Sequence, residues 1–331
     1  MNFNDVIGHE KSICFLKNLL KKTSIPHALL FSGPDGIGKK LCAEIFAKSI
    51  LCTSTTERPC NACQSCLSYD NNTHPDFKFI TTEDGTDVTT IKIDQIRELK
   101  NFISLMPVFN NGRICIIDNA QKMTVQASNS ILKLLEEPPV NNYFILIAPS
   151  DEQLLSTITS RCLKINFQSI DKLVLFKHLN EKINDDDEKV KTAISLSNGK
   201  YAKTLELLEP NGLSLRNLAL KFLQELADKK LDLSSNIIDE LSELNQLNAN
   251  LLFKYLDILI RDLLLLKNHS KEKQESLLNH DIYDTLNTLC LSWNNLKLLK
   301  MYSYIKKATK TARNSTLRLT VESLVLELKH L

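Results

Sequence analysis

Four groups of residues have types and spacings that could do chemistry. Gly33-Pro34-Asp35-Gly36-Ile37-Gly38-Lys39-Lys40 joins an apolar run, His27 to Phe31, to an amphipathic segment that begins at Leu41. The glycines Gly33, Gly36 and Gly38 let backbone N–H groups turn inward around a polyphosphate. The following helix offers the positive end of its dipole, and Lys39 adds a mobile cation. A hydroxyl after that lysine would hold Mg²⁺, but position 40 is a second lysine. A cation about 5 Å from the metal position opposes each unit of metal charge by up to ~3 kcal/mol at an effective dielectric of about 20.

The second group is Arg113-Ile114-Cys115-Ile116-Ile117-Asp118-Asn119-Ala120, an apolar strand ending in a carboxylate. Asp118 stands where a phosphate-loop fold approaches Mg²⁺ directly or through water. Hydrolysis also needs a base, commonly a Glu just after that Asp. Here the next residue is Asn119, whose amide can orient water but cannot take its proton. An active hydrolase is disfavoured; a site that binds ATP or ADP without turnover and an empty pseudo-site both remain open.

Cys52, Cys60, Cys63 and Cys66 form a C-x7-C-x2-C-x2-C cluster directly after the loop's helix. Four thiolates suit tetrahedral Zn²⁺ in a structural role, with every coordination position filled by protein. An iron–sulfur cluster is the rival, but the Cys-Pro ending of ferredoxin-like runs is missing. Unligated thiols are the plainest alternative. The last group is Ser160-Arg161-Cys162. Arg161 could be a locally paired structural residue, or could project across a subunit boundary to a neighbour's γ-phosphate, for which its fixed charge and fork of donors are suited.

The elements that must position these groups follow from hydrophobic periodicity. Leu29 to Phe31, Phe77 to Ile80, Ile114 to Ile117 and Tyr143 to Ile147 are nearly continuous apolar strings, as expected of strands covered on both faces. Helical stripes separate them: Leu41, Ile45, Phe46 and Ile50; Ile93, Ile96, Leu99 and Ile103; and Ala127, Ile131, Leu134 and Leu135, stopped by Pro138-Pro139. This alternation predicts a parallel, doubly wound sheet over residues 1–167, with the loop at its carboxyl edge and the cysteine module inserted at about 52–66. A compact helical segment is expected over 168–208, containing the charge run Asp185-Asp186-Asp187-Glu188, read as a solvated helix start or loop. Pro210-Asn211-Gly212 marks a boundary. Beyond it, leucine-rich helices such as Leu251 to Leu266 and Leu317 to Leu328 predict an all-helical domain over 209–331.

A chain of 331 residues has room for two or three domains, and its net charge of +2 gives no overall drive toward nucleic acid. No apolar run is long enough to span a bilayer and the first ten residues lack a signal-peptide core, so a cytoplasmic location with no membrane is expected. Nine cysteines, four of them crowded into 52–66, suit a metal site plus buried thiols better than a disulfide framework. A zinc-dependent nucleic-acid binder acting alone is disfavoured, because the cysteine segment has no Lys/Arg cluster and Arg58 is the only basic residue between Cys52 and Cys66.

Taken together, Phe3-Asn4-Asp5-Val6-Ile7-Gly8, the glycine loop, the four cysteines, His74-Pro75-Asp76, Asn129 to Pro139 and Ser160-Arg161-Cys162 resemble the bacterial DNA polymerase III clamp-loader subunits of the AAA+ class. The likeness is specific over about residues 1–167 and looser beyond. It implies an α/β AAA+ domain with a zinc module, a small helical lid at 168–208 and a helical collar at 209–331. Within the family the pattern is most similar to the delta-prime branch. The ATP-hydrolysing gamma and tau subunits keep Lys-Thr or Lys-Ser and Asp-Glu pairs, where this chain has Lys39-Lys40 and Asp118-Asn119.

The resemblance implies that Arg161 is an arginine finger given in trans to a neighbouring ATPase, and that the four cysteines hold zinc. It implies gamma/tau and delta subunits as partners, with primer-template DNA and the sliding clamp met through the assembled complex. The chain would then be one component of a DNA-directed DNA polymerase holoenzyme, a nucleotidyltransferase complex, without ATPase activity of its own. The alternative is an active gamma/tau-like ATPase. Family ATPases carry a sensor arginine three residues after a lid glycine; counting from Gly199 gives Ala202, with Lys203 beside it.

Overall fold

The structure, a computed structural model, describes residues 1–22, 24–82, 90–109, 111–182, 187–230, 236–268, 276–312 and 316–329. It divides into two compact units, one of Met1–His178 with Gly199–Ala202 and one of Leu179–Asn198 with Lys203–Leu331.

In the first unit, β1 (Ala28–Ser32), β2 (Phe77–Ile80), β3 (Arg113–Ile117), β4 (Asn142–Ala148) and β5 (Leu163–Asn166) form one sheet in the order β2-β3-β4-β1-β5. Every pairing is parallel. Parallel neighbours need crossovers, and the helices that make them cover both faces. Alternation along β1 sorts its side chains. Leu29 and Phe31 join Ile114, Ile116, Ile145 and Ile147 in a core with α1 (Glu10–Leu20) and α2 (Lys39–Leu51). Leu30 joins Cys115, Ile117, Phe144 and Leu146 in a second core on the opposite face. That core is closed by α4 (Ile93–Ser104) and α5 (Val125–Glu136), α3 (Gln64–Asp70) having come earlier in the chain.

The four apolar strings of the sequence are β1 to β4. The fifth strand has no such string: Leu163 and Ile165 alternate with exposed Lys164 and Asn166. It is an edge strand, pairing Leu29 with Leu163 through Ser32 with Asn166, and its alternating burial shows that only one face is covered. The short α6 (Ser156–Thr159) precedes it.

Helix α7 (Lys172–Lys182) runs across the division between the units. Asp187 and Glu188 open α8 (Asp187–Ser197), where acidic residues suit the positive end of the helix dipole; Asp185 and Asp186 lie outside the described residues. Then come α9 (Tyr201–Leu208), α10 (Ser214–Ala227), α11 (Asn236–Ser242), α12 (Gln246–Asn268), α13 (Tyr283–Ser292), α14 (Asn295–Thr311) and α15 (Leu317–Lys329). Among the described residues the second unit has no strand. Its core is built on α12, against which α10, α13 and α14 pack through Leu252, Phe253, Leu256, Leu259, Ile260 and Leu263.

Among the described residues no helix is long and apolar enough to cross a membrane.

Candidate functional site

The glycine loop follows β1 and Asp118 follows β3, so strand order brings both to the carboxyl edge of the sheet. There Asp35, Gly36, Gly38, Lys39, Lys40, Asp118, Asn119 and the β4 end, Ile147 to Pro149, line a cleft of about 260 Å³. Gly33 has φ 148° and a Cβ there would strike the Phe167 carbonyl; Gly36 and Gly38 have φ of 76° and 99°. These left-handed angles are open to glycine at little cost.

Lys39 is 5% exposed, and its ammonium donates to the Gly33 carbonyl, to the Pro34 carbonyl at 2.7 Å and to Asp35 at 3.5 Å. Burial holds its pKa below the ordinary lysine value, against the pull of Asp35 and Asp118. Lys40 also lines the cleft and places its Nζ 4.5 Å from the ring centre of Phe79. Burial raises the Asp118 carboxyl above its usual range, opposed by the Asn119 N–H and by Lys40 and Lys39.

Asn119 adopts φ 55°, ψ 45°, a conformation asparagine tolerates better than most residues. Its backbone N–H donates to one Asp118 oxygen at 3.0 Å and its side-chain amide to the other at 3.4 Å. The carboxylate a metal would need is therefore bonded by its own neighbour, and the residue at the base position is an amide. Ala202 N–H donates to the Gly36 carbonyl at 3.1 Å, so the position where a sensor arginine is expected rests on the loop with only a methyl group. Lys203 is paired with Glu206 at 2.5 Å.

The four cysteines come together. Their sulfurs all lie within 4.8 Å of one another, with Cys52 to Cys63 at 3.9 Å and Cys60 to Cys66 at 4.0 Å. A tetrahedron with Zn–S bonds of about 2.3 Å has edges of about 3.8 Å, so the donor set has the size of a four-thiolate metal site. Cys52 ends α2 and Cys63 caps α3, accepting from Cys66 N–H at 3.4 Å. Cys63 N–H donates to Cys60 sulfur at 3.3 Å, and Cys60 and Ser54 N–H donate to Cys52, each at 3.4 Å. Burial pushes the Cys63 thiol up, but hydrogen bonds from Thr53 and Cys66 outweigh it and bring the pKa to about 6. The Ala62 and Cys63 N–H groups lower that of Cys60. Burial raises the Cys52 and Cys66 thiols, so the hydrogen bonds favour the thiolate, the form that binds metal, at Cys60 and Cys63 alone. These four residues could hold a metal ion.

Several residues that carry this arrangement were not legible as functional. Lys48, 1% exposed on α2, donates to Asn61 at 2.6 Å and to both oxygens of Asp70 at 2.7 Å, bracing the cysteine segment and α3. His74 bonds Ser65 at 2.9 Å, and Ser65 in turn donates to the Leu51 carbonyl at 2.7 Å. Asp76, wholly buried, accepts the Val108 N–H at 2.9 Å and the Phe109 N–H at 3.0 Å, and faces Arg113 at 3.5 Å. A charge inside an apolar stretch, as at Lys48, was the available signal.

Arg161 lies apart from the cleft, after α6. Its Nη1 donates to the Thr157 carbonyl at 2.9 Å and to Ser160 Oγ at 3.3 Å, and its Nη2 stands 2.8 Å from Glu136 at the end of α5.

Residues 8–171 match the family described as DNA polymerase III, delta subunit. The chain is 30% identical to the DNA polymerase III subunit gamma of Buchnera aphidicola (Schizaphis graminum) over 92% of its own length and 76% of that protein. It is also 30% identical to subunit delta-prime of Haemophilus influenzae over 59% of each chain, and 34% identical to subunit delta-prime of Bacillus subtilis over 50% of each. Thus the match spans only half to three-fifths of those two relatives. With the parallel sheet and its loop, these relationships place the protein in a class: it is a AAA+ protein. More particularly, the chain belongs to the bacterial DNA polymerase III clamp-loader family.

Proposed function

We propose that this chain is a delta-prime-like subunit of the replicative clamp loader, one that does not hydrolyse ATP itself and offers Arg161 to the ATP site of an adjacent gamma/tau-type subunit. The observation that carries this reading is the nucleotide cleft. Lys40 replaces the metal-binding hydroxyl, and Asn119 replaces the base while bonding both oxygens of Asp118. In this reading Gly33, Gly36, Gly38, Lys39 and Asp118 are the remains of a nucleotide site. Residues 168–208 serve as a lid and 209–331 as the collar that joins gamma/tau and delta subunits, with primer-template DNA and the sliding clamp reached through the whole cytoplasmic assembly.

The test is ATP hydrolysis by the purified chain with and without Mg²⁺. No turnover and no tight ATP binding are expected; turnover abolished by Lys39→Ala would overturn the reading. One observation favours the alternative, a gamma/tau-like ATPase: the alignment spanning 92% of the chain is to a gamma subunit. The same assay separates the two.

Zinc is the metal we assign to Cys52, Cys60, Cys63 and Cys66, because four thiolates at tetrahedral spacing fill its coordination sphere and leave no open position. When bound, the ion would tie the end of α2 to the start of α3, a structural role. Metal analysis should return one zinc per chain, and joint replacement of Cys60 and Cys63 by serine should abolish it. Iron or no metal in the native protein would refute the assignment.

A further inference from the structure

From its residue type and position Arg161 is either locally paired or available to a neighbour, and the structure contains a local partner. Glu136 Oε1 stands 2.8 Å from Arg161 Nη2, while both Arg161 hydrogen bonds within the chain, to the Thr157 carbonyl and Ser160 Oγ, leave from Nη1. The guanidinium is therefore tied down at one nitrogen and faces a carboxylate at another. Its side chain remains 36% exposed, and that of Glu136 47%, so both are within reach of an incoming group.

The position of Glu136 is poor for helix stability. It is the last residue of α5 and is followed by Glu137, which puts two acidic side chains at the negative end of a helix dipole. A carboxylate beside the arginine also opposes any phosphate that approaches the same nitrogen, since two anions would then share one cation. Phosphates and carboxylates compete for the same fork of arginine donors, and the more highly charged anion wins when it is delivered in place.

We infer that Glu136 is a holding counter-ion for Arg161: it keeps the guanidinium paired on its own subunit until a neighbour's nucleotide phosphate displaces the carboxylate. This rests on the reading of Arg161 as a finger and adds to it a residue that sets the threshold for its use. Thr157 and Ser160 hold the base of the guanidinium in both states, so the exchange requires Glu136 to leave rather than Arg161 to be rebuilt.

The experiment uses the loader reconstituted with its ATPase subunits, and follows ATP turnover against ATP concentration at low and moderate salt. Four forms are compared: the natural chain, Glu136→Gln, Arg161→Ala and the double variant. An exposed pair of this kind is worth at most about fivefold. Glu136→Gln, which keeps the shape and removes the charge, should lower the half-saturating ATP concentration about two- to fivefold at low salt. The gain should shrink as salt is raised and vanish when Arg161 is already alanine. A purely structural pair would move the thermal midpoint of the purified chain and leave the ATP dependence alone. Unchanged or weakened ATP dependence in Glu136→Gln, with Arg161→Ala impaired, overturns the holding role and leaves the finger intact. If Arg161→Ala turns over ATP normally, the finger reading and the holding role fall together.

Discussion

Replacing Arg161 with alanine is expected to lower ATP turnover on the order of a thousandfold at the one site it completes in a reconstituted, DNA-stimulated loader, with assembly unaffected. The size follows from what an arginine finger supplies. It brings a permanent charge and a rigid fork of donors to the transferring phosphoryl group, and no water replaces both. Assembly should survive because Arg161 is a half-exposed surface residue whose contacts within the chain are one ion pair and two hydrogen bonds. Steady-state turnover with primed DNA, alongside gel filtration of the complex, checks the two parts separately. Normal turnover would remove Arg161 from the chemistry.

Asp76→Ala is expected to cost about 3–5 kcal/mol, the largest stability effect we foresee from one side chain. Asp76 is wholly buried and takes three roles at once: it accepts the Val108 and Phe109 N–H groups, at 2.9 and 3.0 Å, and faces the Arg113 guanidinium at 3.5 Å. Removing it takes the acceptor from two backbone donors and leaves the buried Arg113 charge without its counter-ion. Arg113 is 5% exposed, and among the described residues its guanidinium otherwise donates to the carbonyls of Phe102 and Met106, so it has little access to water. For a unit of this size the loss corresponds to a fall of about 6–20 °C in its thermal transition. Calorimetry on the full chain reads it directly, and a shift under about 2 °C would show that the network is dispensable.

How far the sequence could be read varies from element to element for physical reasons. Strands β1, β3 and β4 were visible because burial on both faces demands unbroken apolar strings, and the half-buried edge strand β2 because Phe77, Phe79 and Ile80 dominate it. Strand β5, the other edge, was not, because its apolar residues only alternate and Leu163-Lys164-Ile165-Asn166 is too short for that alternation to stand out. The cysteine cluster was visible because ligand spacing is local. Its support was not, since Lys48 meets Asp70 across 22 positions, and neither was the separate bond of Asp76 to Val108 across 32. His74-Pro75-Asp76 is visible in the sequence only as part of a family likeness; in the structure His74 bonds Ser65 beside the cysteines, while Asp76 holds Val108 and Phe109 and faces Arg113.

By itself the sequence determined the parallel α/β unit followed by helices, the phosphate-loop pattern, the four-cysteine set and the two residues that depart from the hydrolytic pattern, Lys40 and Asn119. All of these are fixed by local periodicity or by which side chain occupies a position. Only the tertiary structure decided what those residues touch. Asn119 bonds both oxygens of Asp118, Lys40 lies against Phe79, Ala202 rests on the Gly36 carbonyl, and Glu136 stands against Arg161. Most of these meetings depend on how parallel strands and their crossover helices bring distant segments to one edge of the sheet, and residue type alone carries no record of that.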